Sequence, residues 1–336
     1  MTQNNNDRYQ MQALLSAIQE ADSILLFSHI SPDGDTIGSA LALKLALEGL
    51  RKRVTPVLDG TVPGALSFLP DGYCFRKPEA VAEHVDPAAP GVLALAVDVS
   101  CADRMGAGEA IFARAARTAQ LDHHGTNPGY AKINVIDGDA PATAVLVYRL
   151  LRALGAPLTE AVATCLYTAL ATDTGNFVYK STNAEAFCVM AELMRAGLDV
   201  ETYSRLLFRR KEREHVALLG LALPTLRFTC GGEVAGMCVS YEQMQAVGAT
   251  GEHAEGIVNY AIDLVGVKLA YFARGIQDGR VKCSLRALAP HRVDRAAAEF
   301  GGGGHPLAAG CTLALPLEEA VAQMERVLVA AHRGEA

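Results

Sequence analysis

Apolar residues in the first half of the chain gather into short runs separated by longer helical stretches. Residues 23–30, 53–58 and 91–99 read as strands, and residues 36–49 between the first two read as a helix. Gln120-Leu121, ending in Asp122, and residues 132–136 add two more β runs. Helices are expected from about Ala142 to Leu154, closed by Gly155 and Pro157, and from about Thr159 to Thr172. Strands alternating with helices are the mark of βαβ units around a parallel sheet. Residues 183–221 are mostly helical in pattern and carry Arg209-Arg210-Lys211-Glu212-Arg213, read as a solvated helix face in a stretch that joins domains. After Pro224 the pattern turns to hairpins: residues 225–230 with 233–240 around Gly231-Gly232, then 268–274 with 281–288 around Asp278-Gly279. A glycine-rich loop at residues 301–304 and a last helix from about Leu317 follow. The expected division is an α/β parallel-sheet domain over 1–190, a helical connector over 191–222 and a smaller α+β domain over 223–336.

Size and charge narrow the function. The 336 residues, half of them hydrophobic, can bury a sizeable core and suit about two domains. A formal charge of −7 speaks against bulk electrostatic gripping of long nucleic acid, while a small anionic substrate held by metals stays compatible. The eight cysteines lack the C-x-x-C spacing of a zinc site or redox pair and read mostly as buried, reduced packing residues of a cytoplasmic protein. Residues 1–10 are polar and amide-rich, without the basic and apolar regions of a signal peptide. No apolar run approaches the ~20 residues needed to span a bilayer.

Chemistry-bearing residues stand where the apolar runs end. The segment Ser28-His29-Ile30-Ser31-Pro32-Asp33-Gly34-Asp35-Thr36-Ile37-Gly38-Ser39 joins a strand to a helix, at the sheet edge where α/β folds bind ligands. His29, Asp33 and Asp35 can be turned into one space, and imidazole with carboxylates but no thiolate suits manganese, magnesium or a related ion. Taken alone, the segment fits an ordinary turn with Thr36 or Asp35 capping the helix equally well. Asp98 ends the run Leu93-Ala94-Leu95-Ala96-Val97, where an unpaired carboxylate is costly and a metal would supply a partner. Asp122-His123-His124-Gly125 closes another strand. Adjacent imidazoles point differently, so one can ligate while the other meets substrate and Asp122 fixes a tautomer. Thr172-Asp173-Thr174-Gly175 follows an apolar helix and by itself marks only a helix end.

In order and wording, H-x-x-x-D-G-D-x-x-G-S, V-D, D-H-H-G and T-D-T-G resemble the DHH phosphoesterase family, which includes RecJ-type exonucleases and family II pyrophosphatases. Ser284-Leu285-Arg286 and Gly301-Gly302-Gly303-Gly304-His305 resemble the substrate-binding strand and G-G-G-H loop of the DHH-associated domain, so the resemblance covers nearly the whole chain. Length, the final loop and Glu255-Gly256-Ile257-Val258-Asn259-Tyr260 look most similar to the nanoRNase and pAp phosphatase members. The resemblance implies hydrolysis of 3′-phosphoadenosine 5′-phosphate (pAp), of very short oligoribonucleotides, or of both, using two divalent ions: manganese first, magnesium or cobalt otherwise. It implies that His29, Asp33 and Asp98 hold one ion and that Asp35, Asp98, His123 and Asp173 hold the other, with Asp98 bridging. His124 would contact the scissile phosphate or leaving oxygen, and Asp122 would orient the histidine pair. Ser284, Arg286, Gly302, Gly303, Gly304 and His305 would hold substrate, the loop through an anion nest and Arg286 through its forked guanidinium, with the smaller domain acting as a lid. A homodimer is implied by family analogy alone. The alternatives are a family II-type pyrophosphatase, which would have a lysine-rich substrate site in place of G-G-G-H, a cyclic-dinucleotide phosphodiesterase, and a catalytically silent nucleotide-binding regulator, which would have lost a metal ligand.

Overall fold

A computed structural model describes residues 2–334; Met1 and residues 335–336, which the expected domain bounds take in, lie outside it. The chain divides into two compact units at Arg210 and Lys211, a point within the stretch read as a connector. The charge run there is exposed, but residues 210–212 leave the helix rather than forming its solvated face. Four basic side chains within five residues repel one another, and no apolar stripe holds that turn to a core.

The first unit opens with α1 (Thr2–Glu20), a helix the polar first residues do not suggest. Its second half buries Leu14, Ala17 and Ile18. Then follow β1 (Ser23–Phe27), α2 (Gly34–Gly49), β2 (Arg53–Val57), α3 (Pro78–His84), β3 (Val92–Val97), α4 (Gly108–Arg114), β4 (Arg117–Asp122) and β5 (Ile133–Ile136). Four helices complete it: α5 (Thr143–Ala153), α6 (Glu160–Asp173), α7 (Ala184–Arg195) and α8 (Val200–Ser204). The strands form one sheet in the order β2-β1-β3-β4-β5, every pair parallel. The six-residue run Val92–Val97 is buried throughout because helices cover both faces of the sheet, which is why it reads as continuous rather than alternating apolar sequence. One face packs Leu14, Leu41, Leu146 and Leu166, while the other packs Val81, Ile111 and Phe112. From β1 the chain turns first to β2 and then crosses to β3 on the other side. The gap between the carboxyl ends of β1 and β3 is therefore the topological switch point, the place where such sheets bind ligands.

The second unit contains α9 (Arg213–Ala222), β6 (Arg227–Thr229), β7 (Val234–Val239), α10 (Tyr241–Ala246), α11 (Asn259–Ile262), β8 (Leu269–Gly275) and β9 (Val281–Ala287). It ends with α12 (Asp294–Ala298), β10 (Gly303–His305), β11 (Ala308–Leu313) and α13 (Leu317–Arg333). Its sheet runs β10-β11-β9-β8-β7-β6, antiparallel except for β7 with β8. The two expected hairpins are present. The glycine-rich loop, however, passes into strand β10, because Gly303 and Gly304 pair with Gly310 and Ala309 on β11. Glu255 to Tyr260 contributes Ile257 and Val258 to the core on one side of this sheet.

The cysteines correct one expectation. All eight are free thiols, but only Cys165, Cys283 and Cys311 are buried, and Cys188 is exposed on α7, whose outer side faces solvent. Among the described residues no helix is long and apolar enough to cross a membrane.

Candidate active site

Four of the segments singled out above converge at the switch point. His29 follows β1 and Asp98 follows β3, each almost completely buried. Asp122 ends β4, with His123 and His124 just beyond it, and Asp173 is the last residue of α6. Helix α6 reaches this edge because it packs closely on α2. A Cβ on Gly38 would lie 2.5 Å from the Cys165 carbonyl oxygen and 2.9 Å from the Ala169 Cβ, so this crossing requires glycine.

The carboxylates are built in rigidly. Asp33 is the N-cap of α2, accepting the backbone N–H groups of Asp35 at 3.0 Å and Thr36 at 3.1 Å. Its cap role and its place in the cluster coexist, since only one oxygen caps. Asp35 accepts the Thr143 N–H at 2.6 Å on one oxygen, and the Ser39 hydroxyl at 2.9 Å and Ala144 N–H at 3.1 Å on the other. Asp98 accepts the hydroxyls of Thr36 at 2.6 Å and Thr143 at 2.9 Å. Its backbone has φ +59, a strained left-handed conformation of the kind found at functional sites.

No lysine or arginine pairs with these carboxylates among the described residues. Among the described residues their ion-pair neighbours are imidazoles, and most are too distant for a hydrogen bond. His29 Nε2 lies 3.9 Å from an oxygen of Asp33 and 3.9 Å from one of Asp98. His123 Nε2 lies 3.9 Å from Asp35 and 3.8 Å from Asp98, but 3.1 Å from Asp173. Two ligand atoms each about 2.1 Å from one ion stand at most ~4.2 Å apart, so separations near 3.9 Å are too long for hydrogen bonding and fit a shared cation. At this edge three groups have ligand atoms all within 4.8 Å of one another: His29 with Asp33 and Asp98, Asp35 with His123 and Asp173, and Asp98 with His123 and His124; a fourth, Glu212 with Glu214 and His253, lies in the second unit. Asp98 belongs to two of them.

The electrostatics of the metal-free chain agree. Burial, and then the charges of Asp98 and Asp173, raise the Asp35 carboxyl well above its usual range. Burial, with Asp33 adding to it, pushes Asp98 up to about 7. Burial would lower His123, but its hydrogen bond to Asp173 and the nearby charges of Asp35 and Asp173 outweigh this and push it up to about 10. His29 is instead brought down to about 4, chiefly by burial, with the Arg104 guanidinium 3.3 Å from its Nδ1 also acting downward. The donor set is nitrogen and oxygen without sulfur, as hard divalent ions require.

Beside the cluster, His124 Nδ1 is 2.8 Å from an Asp122 oxygen, and the Asn127 amide donates to the other at 2.6 Å. Burial alone would raise Asp122, but these hydrogen bonds hold it below the ordinary carboxylate range. His124 is raised in turn, first by its bond to Asp122. His123 is oriented separately, through Nδ1 on the Ala140 carbonyl at 3.2 Å.

In the second unit, sheet register assembles the residues expected to hold substrate. Arg286 on β9 faces Ala308 on β11, which faces His305 on β10. One step along, Ser284 faces Gly310, which faces Gly303. Directly opposed residues share a sheet face, so Arg286, Ser284 and His305 border a trough floored by the small residues Ala308 and Gly310. Gly302 lies hard against β11, where a Cβ would stand 2.2 Å from the Gly310 oxygen.

The sequence reading did not anticipate the groups that hold the carboxylates, Thr36 as an Asp98 donor, Thr143 and Asn127, or Arg104 beside His29. Apart from Asn127, five residues from Asp122, their partners are distant in sequence, and hydroxyl and amide side chains carry no signal of their own.

Comparison with known proteins agrees with this geometry. The DHH family N-terminal domain matches residues 23–170 and the DHHA1 domain matches residues 236–330. The bifunctional oligoribonuclease and PAP phosphatase NrnA of Thermus thermophilus is 35% identical over 310 residues, covering 91% of this chain and 88% of that protein. The chain belongs to the DHH family. This DHH protein is a metal-dependent phosphoesterase, a hydrolase whose parallel-sheet unit carries the DHH match and whose second unit carries the DHHA1 match. The Bacillus subtilis protein of the same name is 23% identical, covering 89% of this chain and 92% of its own. An exopolyphosphatase-related protein from Bacteroides fragilis, known from its crystal structure, superposes with a TM-score of 0.88 at 27% identity, covering 96% of each chain.

Proposed function

We propose that the enzyme hydrolyses oligoribonucleotides a few residues long and pAp, releasing mononucleotides from the former and AMP with phosphate from the latter. The observation that carries this reading is the double membership of Asp98 in the two cation-sized groups around His29 and His123, in a chain similar along nine-tenths of its length to an oligoribonuclease and PAP phosphatase.

His29, Asp33 and Asp98 would hold one divalent ion and Asp35, Asp98, His123 and Asp173 a second, manganese being the first choice. When bound there, such ions activate the attacking water and neutralise charge building on phosphorus. The chain's own residues do the rest. Thr36 and Thr143 fix both Asp98 oxygens, and the Thr143 and Ala144 N–H groups fix Asp35, so the ligands need no rearrangement. With Nδ1 committed to Asp122, His124 has Nε2 available for the scissile phosphate, and the raised imidazole can pass its proton to the departing oxygen. Ser284, Arg286, His305 and the backbone of Gly302, Gly303 and Gly304 would hold another phosphate of the substrate, the arginine as a fork and the glycines as unhindered N–H donors. A cytoplasmic site of action is supported by eight cysteines that stay unpaired, and the family analogy supports a homodimer.

The test is a phosphate-release and chain-length panel with purified protein and manganese, magnesium or cobalt. Release of AMP from pAp and of mononucleotides from di- to tetranucleotides, with little turnover of long strands, is expected. Absence of metal-dependent release from all of these overturns the reading.

A further inference from the structure

Beyond the Arg286 and Ser284 rows, the same sheet face carries a third row. Lys282 on β9 faces Thr312 on β11 on one side and Arg274 on β8 on the other. The core formed by α9, α10 and α11 covers the β7–β8 half of this face, burying Ala270 and Phe272, but leaves Lys282 exposed and Ser284, Arg286 and Thr312 only partly covered. Lys282, Thr312 and Gly310 line an open cleft of about 350 Å³ with Phe300, Gly301 and Gly302, the residues that lead into β10.

The charge in this row is unbalanced. Like charges directly opposite across strands destabilise a sheet, yet Lys282 opposes Arg274. The carboxylate acting on Arg274 is Glu255, and no ion pair joins Lys282 among the described residues. In a chain of net charge −7, Lys282 stands without a carboxylate partner at a cleft walled by glycine backbone, an arrangement that suits an anion.

Resting on the function proposed above, we infer that this cleft is a second phosphate subsite, with Lys282 and Thr312 as its polar contacts, used by substrates of more than one nucleotide. Lys282, Ser284 and Arg286 stand two residues apart on one strand face. At about 3.3 Å per residue, Lys282 and Arg286 are separated by roughly 13 Å of strand. That span exceeds the distance between two phosphates flanking a single nucleoside, so pAp at Arg286 does not reach Lys282, whereas a trinucleotide does. The glycine backbone and the Phe300 ring supply a surface without base-edge specificity, as a sequence-indifferent subsite needs.

Binding without turnover tests this. Calorimetric titration of the full-length chain in chelator with 5′-phosphorylated triadenylate, and separately with pAp, is compared among the native protein, Lys282→Ala and Lys282→Arg. Lys282→Ala is expected to weaken triadenylate on the order of tenfold and pAp by less than about twofold, and Lys282→Arg to restore triadenylate binding. Equal losses for both ligands, no loss for either, or no binding of triadenylate to the native protein would each overturn the subsite. A selective loss in Lys282→Ala, in a protein that hydrolyses none of the panel above, leaves the subsite standing and removes the hydrolytic reading instead.

Discussion

Asp122 and His124 form a hydrogen-bonded pair at 2.8 Å in which the carboxylate is fully buried and the imidazole partly open. One carboxylate thereby sets which ring nitrogen of His124 faces outward, without itself touching substrate. Asp122→Asn would keep the shape and lose the charge, leaving His124 free to adopt the other tautomer. A fall in kcat of about 10–100-fold is expected, as for other groups that orient a functional imidazole. Steady-state kinetics on pAp at saturating manganese measures it, and an unchanged kcat would deny the pair its positioning role.

Asp98 predicts opposite effects on stability and on cation response. Its carboxylate is buried beside those of Asp35 and Asp33 with no lysine or arginine partner, and burial outweighs the nearby His123, so in the metal-free chain it is a liability. Asp98→Asn is expected to melt at or above the native temperature in chelator, and to lose the rise in Tm that manganese gives the native protein. It should also lose nearly all turnover. Thermal scans with and without manganese check this; a variant that gains as much from manganese as the native chain would exclude Asp98 from the cation site.

How much of this was legible in the sequence depends on where the partners lie. His29, Asp98 and the Asp122 cluster could be read because each ends an apolar run, and in a parallel sheet run ends share an edge. Asp173 carried no such mark, and only the combined motif drew it in. Thr143 could not be found at all: it serves Asp98 and Asp35 from the start of α5, contacts set by tertiary packing rather than local spacing. The interrupted helix at residues 210–212 and the opening helix α1 were missed for related reasons, since helical patterning looks alike whether or not a core receives it.

The α2–α6 crossing carries a steric prediction. Alanine is the better helix former by about 1 kcal/mol, but a methyl at Gly38 would collide with the Cys165 carbonyl. Gly38→Ala is therefore expected to destabilise by about 1–3 kcal/mol net, lowering Tm by roughly 2–4 °C per kcal/mol. Since Asp35 and Asp173 ride on these two helices, manganese affinity should weaken as well. A Tm equal to the native value would show that the helices can part without cost.

Lys44 offers a pH test away from the site. Burial would lower its pKa, but hydrogen bonds from its Nζ to Asp71 at 2.9 Å and Glu48 at 2.7 Å outweigh this and leave it above the ordinary value. Because the folded value is the higher one, the contribution is complete below the unfolded pKa of about 10.4 and fades as pH rises through the folded value. Lys44→Met should cost on the order of 1–2 kcal/mol at pH 7 and pH 9, and the gap should narrow above about pH 10.5. Denaturant unfolding at pH 7, 9 and 11 reads this out; a gap that widens with alkalinity would reverse the sign.

The break at Arg210 and Lys211 has an evolutionary corollary. The carboxylates and imidazoles gathered at the parallel-sheet edge all precede it, and the strand, glycine and lysine positions that could choose among nucleotides all follow it. Selection on the later segment can therefore redirect the enzyme toward longer or shorter guests while the bond-breaking apparatus is inherited intact, so relatives with the same first half need not share a diet.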